Sequence, residues 1–431
     1  MKRIVTLLLA AGLVVSAAMP SQAAQVKVSG AWDFNFESSD ASFGNGHGAS
    51  DDFKARQCLG LQFDIIASES LRGVIAFEMG DTSWGVGGDT DDGGAALGAD
   101  GKVVSVTASF IDWYVPGTEL QIRMGIQPIA LPGAVAGSPI LDDDMAGIVV
   151  SNAFSDEFAL TAFWTRLYDG GLADSDGNTN IGNDEMDMFG LAAPITFDGH
   201  EITPYFAYVT VGDAVYEDSS DDESQMTAGD AYFAGIAYTM TAFDPLTINL
   251  DAIYGSFDGD DSADDQDGWL LAVSADYALD MMTPGLVFWY ASGDDDDDNG
   301  MLPEISGAFA PTTYGFDGAV GSADSAVFAS SPAGTWGIMA RVADITFIED
   351  LTHCLNVAYF KGTNDNESEG LEIGDTYFTK DDSAWEINFD TQYQIYENLS
   401  MVVELAYINL DIENYDAEDA YKVGINFSYE F

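Results

Sequence analysis

Tyr421 to Phe431 reads YKVGINFSYEF. Tyr421, Val423, Ile425, Phe427, Tyr429 and Phe431 fall on one parity; Lys422, Gly424, Asn426, Ser428 and Glu430 fall on the other. Successive side chains of a strand point to opposite faces, so the stretch predicts a strand with one apolar, aromatic face and one polar face. In a soluble sandwich the apolar face would meet a core. In a membrane barrel it would meet lipid, and the polar face a watery lumen.

The same alternation runs back along the chain. Val26, Val28, Trp32, Phe34 and Phe36 alternate with Lys27, Ser29, Asp33, Asn35 and Glu37, and Leu59, Leu61, Phe63 and Ile65 with Gln62 and Asp64. Leu120, Ile122, Met124 and Ile126 alternate with Gln121, Arg123, Gly125 and Gln127. Later hairpins turn at Phe197-Asp198-Gly199, Phe243-Asp244-Pro245 and Glu349-Asp350. Pro128 to Met145, with Pro128, Pro132 and Pro139, reads as an insertion rather than a strand.

Connection lengths decide the solvent. Turns of a few residues alternate with long Gly/Asp/Ser/Asn loops such as 169–184, 213–228, 293–334 and 363–383. A sandwich has no reason to place its long loops at every second connection, whereas a membrane barrel has short periplasmic turns and long extracellular loops. The expected fold is therefore all-β: a transmembrane antiparallel β-barrel of about 16–18 strands with long acidic loops, the number depending on a weak pair around residues 146–166. In lipid every backbone polar group must be paired within the protein, so the sheet must close, which predicts that Val26–Glu37 pairs with Tyr421–Phe431.

The N-terminus fits export. Lys2 and Arg3 precede an apolar run, Ile4 to Val15, and small residues at Ser21-Gln22-Ala23. That pattern predicts a signal peptide over 1–23 and one barrel domain over 24–431. The full chain holds 13 Lys+Arg against 73 Asp+Glu, a formal net charge of −60. Such a charge disfavours nucleic acid as a partner. A content of 47% hydrophobic and 12% aromatic residues argues against disorder. The two cysteines, Cys58 and Cys354, are too few for a disulfide scaffold and read as free thiols. No nucleophile–His–acid spacing, P-loop or dinucleotide fingerprint is present, so the chain is not read as an enzyme.

With its leader, its alternating strands, its terminal YKVGINFSYEF and its insertion at Pro128–Met145, the chain resembles outer-membrane porins, in particular the acidic homotrimeric porins of sulfate-reducing bacteria. The resemblance implies a homotrimer in the bacterial outer membrane, in contact with lipid and lipopolysaccharide, forming a water-filled channel for passive diffusion of small hydrophilic solutes and ions. It also implies that Pro128 to Asp144 is a loop folded into the lumen, and that Phe431 ends an assembly signal. The usual PEFG-like motif of that loop is absent.

Parity then proposes pore-lining residues. Arg56, Arg123, Arg341 and Lys422 have lumen parity; Arg72 shares it beside a short turn. Asp142, Asp143 and Asp144 would face them from the loop. A basic wall opposite an acidic loop makes a transverse field that orders water and dipolar solutes. The alternative is that each cation pairs with a neighbouring acid such as Asp64 or Glu386.

Asp174, Asp176, Asn178, Asn180 and Glu185 place oxygen side chains at alternating positions of a twelve-residue frame, an echo of a calcium loop in which Thr179 replaces the usual glycine. No cofactor is required by this reading, but calcium bound to acidic loops is an expectation to test. The charge favours cations in transit. Competing readings are a substrate-specific outer-membrane channel and a secreted calcium-binding β-rich surface protein.

Overall fold

The computed structural model describes residues 24–39, 52–86, 96–97, 104–169, 185–212, 216–219, 222–225, 228–260, 265–294, 300–316, 318, 328, 331–365, 372–373, 376–413 and 419–431. The predicted leader and four of the five calcium-frame residues (Asp174, Asp176, Asn178 and Asn180) lie outside the described residues.

The wall strands run in chain order. They are β1 (Gln25–Ser39), β2 (Asp52–Ser68), β3 (Leu71–Ser83), β4 (Val104–Tyr114), β5 (Leu120–Ala130), β6 (Asp142–Ser155) and β7 (Phe158–Asp169). Next come β8 (Glu185–Ala192, continued by Ile195–Phe197), β9 (His200–Val211), β10 (Gly229–Phe243), β11 (Leu246–Gly259), β12 (Gln266–Tyr277) and β13 (Thr283–Ala291). The last five are β14 (Thr335–Ile348), β15 (Leu351–Gly362), β16 (Ser383–Tyr396), β17 (Leu399–Asp411) and β18 (Ala420–Glu430). Each pairs antiparallel with its chain neighbours, and β8 is one interrupted strand because both of its pieces pair with β9. The result is an eighteen-stranded closed antiparallel barrel.

Closure occurs where the sequence placed it. Ala31 to Ser39 pair with Glu430 to Lys422 in register. Gly30 and Phe431 then exchange both backbone hydrogen bonds, each at 3.0 Å. The polarity is inside-out. Val423, Ile425 and Tyr429 are exposed on the outside, while Lys422, Gly424 and Asn426 are buried inside. Exposed Trp32, Ile236, Leu286, Ile338 and Val357 carry the apolar belt round the wall. A sandwich would hide these side chains. Among the described residues no helix is long and apolar enough to cross a membrane.

Two expectations about strand extent are corrected. Residues 146–166 are not a weak pair: Ala146–Ala153 pair residue for residue with Arg166–Ala159, which makes eighteen strands rather than sixteen. The insertion is also shorter than Pro128–Met145. Pro128, Ile129 and Ala130 pair with Asp144, Asp143 and Asp142, so only residues 131–141 leave the wall. Pro128 is tolerated in a strand because the β4 ladder ends at Ile126, leaving that side of β5 without a hydrogen-bond partner above it.

Candidate functional site: a lumen narrowed by two infolded loops

Residues 131–141 do fold into the lumen. Leu131, Ile140 and Leu141 are buried there. Across the lumen the Asp251 carboxylate on β11 accepts the Ala134 N–H at 2.8 and 2.9 Å and the Val135 N–H at 2.8 Å. Consecutive N–H groups make a small anion-binding concavity, so one carboxylate fixes the loop tip.

A second loop, between β13 and β14, folds inward as well. Phe309, Tyr314 and Phe316 are fully buried against Trp289, Phe360 and Phe378. Rings of Phe316 and Phe360 meet edge-on at 5.2 Å, and Phe328 lies against Phe378 at 4.9 Å. Each such side chain removed from water contributes about 1.5–3 kcal/mol, which is why a wall that must otherwise line water carries a Trp and a Phe on its inner face. The loop is latched in the same way as the first. Glu386 on β16 accepts the Tyr314 N–H at 3.0 Å and the Gly315 N–H at 2.8 Å, and Tyr314 Oη donates to the Tyr421 carbonyl at 3.2 Å.

The two loops are strapped to one another. Ile305 and Ser306 N–H donate to the Ile140 carbonyl at 3.1 Å, Asp142 N–H to Ser306 at 2.7 Å, Ala308 N–H to Ser138 at 2.7 Å and Ala310 N–H to Ala136 at 2.8 Å. Gly137 permits the approach. Its φ is +97°, and a Cβ there would stand 2.1 Å from the Ala308 carbonyl oxygen.

The predicted pore residues separate into groups. Arg123 Nε lies 2.7 Å from Asp112 Oδ1, and Arg72 Nη2 lies 2.5 Å from Asp112 Oδ2 and its Nη1 3.3 Å from Asp64. Asp112 is fully buried beneath this pair. Arg123 also stacks on Phe110 at 4.5 Å. Arg56 faces the lumen nearer the long-loop end, opposite Asn35 and Ser83. Arg341 forks onto Asp276 at 2.8 and 2.5 Å. Arg72, Arg123 and Arg341 therefore sit in local ion pairs, as the alternative reading had it.

Lys422 has the expected parity but does not touch the open lumen. It is 0% exposed, 3.6 Å from Glu404, in a region that the second infolded loop covers. The aspartate triplet is a further correction. Asp142 and Asp144 stand opposite Ala130 and Pro128 and so share the outward face, and only Asp143 shares the inner face with Ile129. Asp143 accepts a 2.8 Å bond from Ser306 Oγ. A strand cannot present three successive residues to one side.

Glu185, the one described residue of the calcium frame, begins β8 and lies 3.9 Å from Arg166. Cys58 and Cys354 lie on β2 and β15, and neither forms a disulfide. Sequence reasoning missed Asp112, Asp251 and the infolding of the second loop, and it named Glu386 only as a neighbouring acid for a lumen cation. A signal for that loop was present: Leu302 to Phe316, LPEISGAFAPTTYGF, has one charge where the other long loops are dense in carboxylates.

No family model matches the chain, and no curated protein matches it. Among solved structures it is similar to Pseudomonas aeruginosa OpdL, with a TM-score of 0.59 at 14% identity over 94% of this chain and 99% of that one. Acinetobacter baumannii OccAB3 gives 0.58 at 12% over 94% and 99%, and P. aeruginosa OccK11 (OpdR) gives 0.56 at 12% over 94% and 96%. At such identities the likeness is one of fold.

Proposed function

We propose that this chain is an outer-membrane porin: a water-filled channel for passive diffusion of small hydrophilic solutes and ions. One observation carries the reading, a closed barrel that is apolar outside and polar inside, with its lumen narrowed by two anchored loops. A sheet of that polarity matches a bilayer and a watery interior. The similar solved chains are outer-membrane porins, which supports the same reading. Short turns would then face the periplasm, with the signal peptide over 1–23 delivering the barrel domain, 24–431. The excess of carboxylates favours cations in transit. No catalytic chemistry is proposed.

Substrate specificity is a second reading with its own support. Loops fastened to each other and to Asp251 and Glu386 leave an opening of fixed outline rather than a wide pore. Assembly as a homotrimer rests on the family resemblance. Calcium ordering of the outer loops rests on their carboxylate density, and a chelator that left thermal stability and loop proteolysis unchanged would remove it.

The test is direct. The purified chain is expected to need detergent, to show a heat-modifiable shift on gel electrophoresis, and to give discrete conductance steps in a planar bilayer with a reversal potential of cation sign. A chain that dissolves without detergent and gives no steps is not a porin. Native mass at three times the monomer tests the trimer.

A further inference from the structure

An open recess lies in the lumen beside the first infolded loop. It is a cavity of about 220 Å³ between Arg123 and Gln127 of β5 and Ser151, Thr161 and Phe163 of the next two strands. Its polar groups are arranged for a ligand rather than for the fold alone. Gln127 is 0% exposed, and its Nε2 donates to the carbonyls of Gly125 at 3.2 Å and Gly147 at 3.0 Å. Those two bonds fix the amide, so Oε1 is the atom left over, and among the described residues it has no partner. An unpaired buried acceptor is costly, and a donor entering the cavity would relieve it.

Arg123 supplies the complementary group. Its Nε and Nη2 are used on Asp112, which leaves the Nη1 hydrogens as donors. Ser151 Oγ and Thr161 Oγ1 share one hydrogen at 2.9 Å, so the pair can still donate one and accept others. Charge here is balanced, because Arg72 and Arg123 are matched by Asp64 and Asp112. The site thus offers an acceptor, donors and a hydroxyl pair without net charge, over an apolar floor of Ile129, Val149 and Phe163. A hydroxyl group both donates and accepts, and a carbon chain bearing several of them has a C–H face for such a floor. At about 30 Å³ per water the cavity holds on the order of seven waters.

We propose that this cavity is a binding subsite for small neutral polyols of three to five carbons. The proposal rests on the channel reading above and deepens it by naming a solute class. With a small shift of its side chain toward the cavity, Gln127 Oε1 accepts from one hydroxyl, Arg123 Nη1 donates to another, and the Ser151–Thr161 pair holds a third.

The test is uptake by proteoliposomes bearing the full chain. Glycerol and xylitol are compared with the similarly sized ions lactate and choline over a range of concentrations. Xylitol flux is expected to saturate while the two ions pass without saturation. Gln127→Met, which keeps length but removes the acceptor, is expected to raise the half-saturating concentration about fivefold, the worth of one net hydrogen bond. Ser151→Ala gives the same direction should the first variant fold poorly. Linear xylitol flux in the unaltered protein overturns the subsite, as does unchanged saturation in both variants. Absence of any conductance or uptake instead overturns the channel reading, and the subsite with it.

Discussion

Glu386 Oε2 accepts the Gly315 N–H at 2.8 Å, joining the first residues of wall strand β16 to a loop 71 residues earlier in the chain. The carboxylate is 1% exposed and takes the Tyr314 N–H with its other oxygen. Loss of this acceptor leaves two buried N–H groups unpaired, at about 1–3 kcal/mol each. Glu386→Ala is therefore expected to free the second infolded loop, raising single-channel conductance and open-channel current noise. Conductance and noise equal to the unaltered channel would show that the aromatic packing of Phe309 and Phe316 holds the loop without the latch.

Asp251 performs the same task for the first loop, through Ala134 and Val135. Because the loops share five backbone hydrogen bonds, from Ile140–Ser306 to Ala136–Ala310, neither moves freely while the other is fixed. Asp251→Ala is expected to loosen both. The double variant with Glu386→Ala is then expected to add less noise than the two single variants together, as coupled sites do. Strict additivity in recordings of all three variants would mean that the loops move independently.

Much of the fold was legible because it obeys a period of two. Tyr421–Phe431 needed only the alternation of its side chains, and the closing pair with β1 followed from the requirement that lipid tolerates no free sheet edge. The constriction was not legible in that way. Asp142-Asp143-Asp144 read as one acidic surface because sequence adjacency hides the pleat, and the strand sends its members to opposite sides. Asp251 and Glu386 carried no local mark of an anchoring role, since their partners are backbone N–H groups of segments 116 and 71 residues away. Lys422 shows the limit of parity. Parity assigns a face, and only the loop lying over that face decides whether water reaches it.

Asp112 holds together the Arg72–Arg123 cluster on the lumen wall. It takes Arg123 Nε at 2.7 Å, Arg72 Nη2 at 2.5 Å and Gln121 Nε2 at 3.1 Å. Asp112→Asn leaves two guanidinium groups without their shared carboxylate and adds one net positive charge to the lumen. The potassium-to-chloride permeability ratio, read from reversal potentials in a salt gradient, is expected to fall. Arg123→Ala works in the opposite sense, since Asp112 keeps Arg72 but the pore loses one cation; the ratio is expected to rise, and conductance to change with it. Both variants matching the parent ratio would remove this cluster from the conduction path.

The seam between β1 and β18 sets the last expectation. Gly30 exchanges two backbone bonds with Phe431, and a Cβ at position 30 would stand 2.4 Å from the Gly60 carbonyl oxygen and 3.0 Å from the Phe431 ring. The backbone contact cannot yield without parting β1 from β2. Gly30→Val is therefore expected to weaken closure, and deletion of Phe431 to weaken it by a different route, by removing both bonds and the stack of its ring on Tyr429 at 5.8 Å. Each leaves backbone groups of the seam unpaired against lipid, where every such group costs several kcal/mol. The expected readout is a lower yield of the heat-modifiable folded band when the urea-denatured chain is diluted into lipid vesicles, together with a lower unfolding temperature of whatever folds. The loss in Gly30→Val is expected even though its C-terminus is intact. A Gly30→Val chain that folds to the parent yield while the Phe431 deletion does not would mean that the terminal residue acts through recognition of the strand end rather than through closure of the sheet.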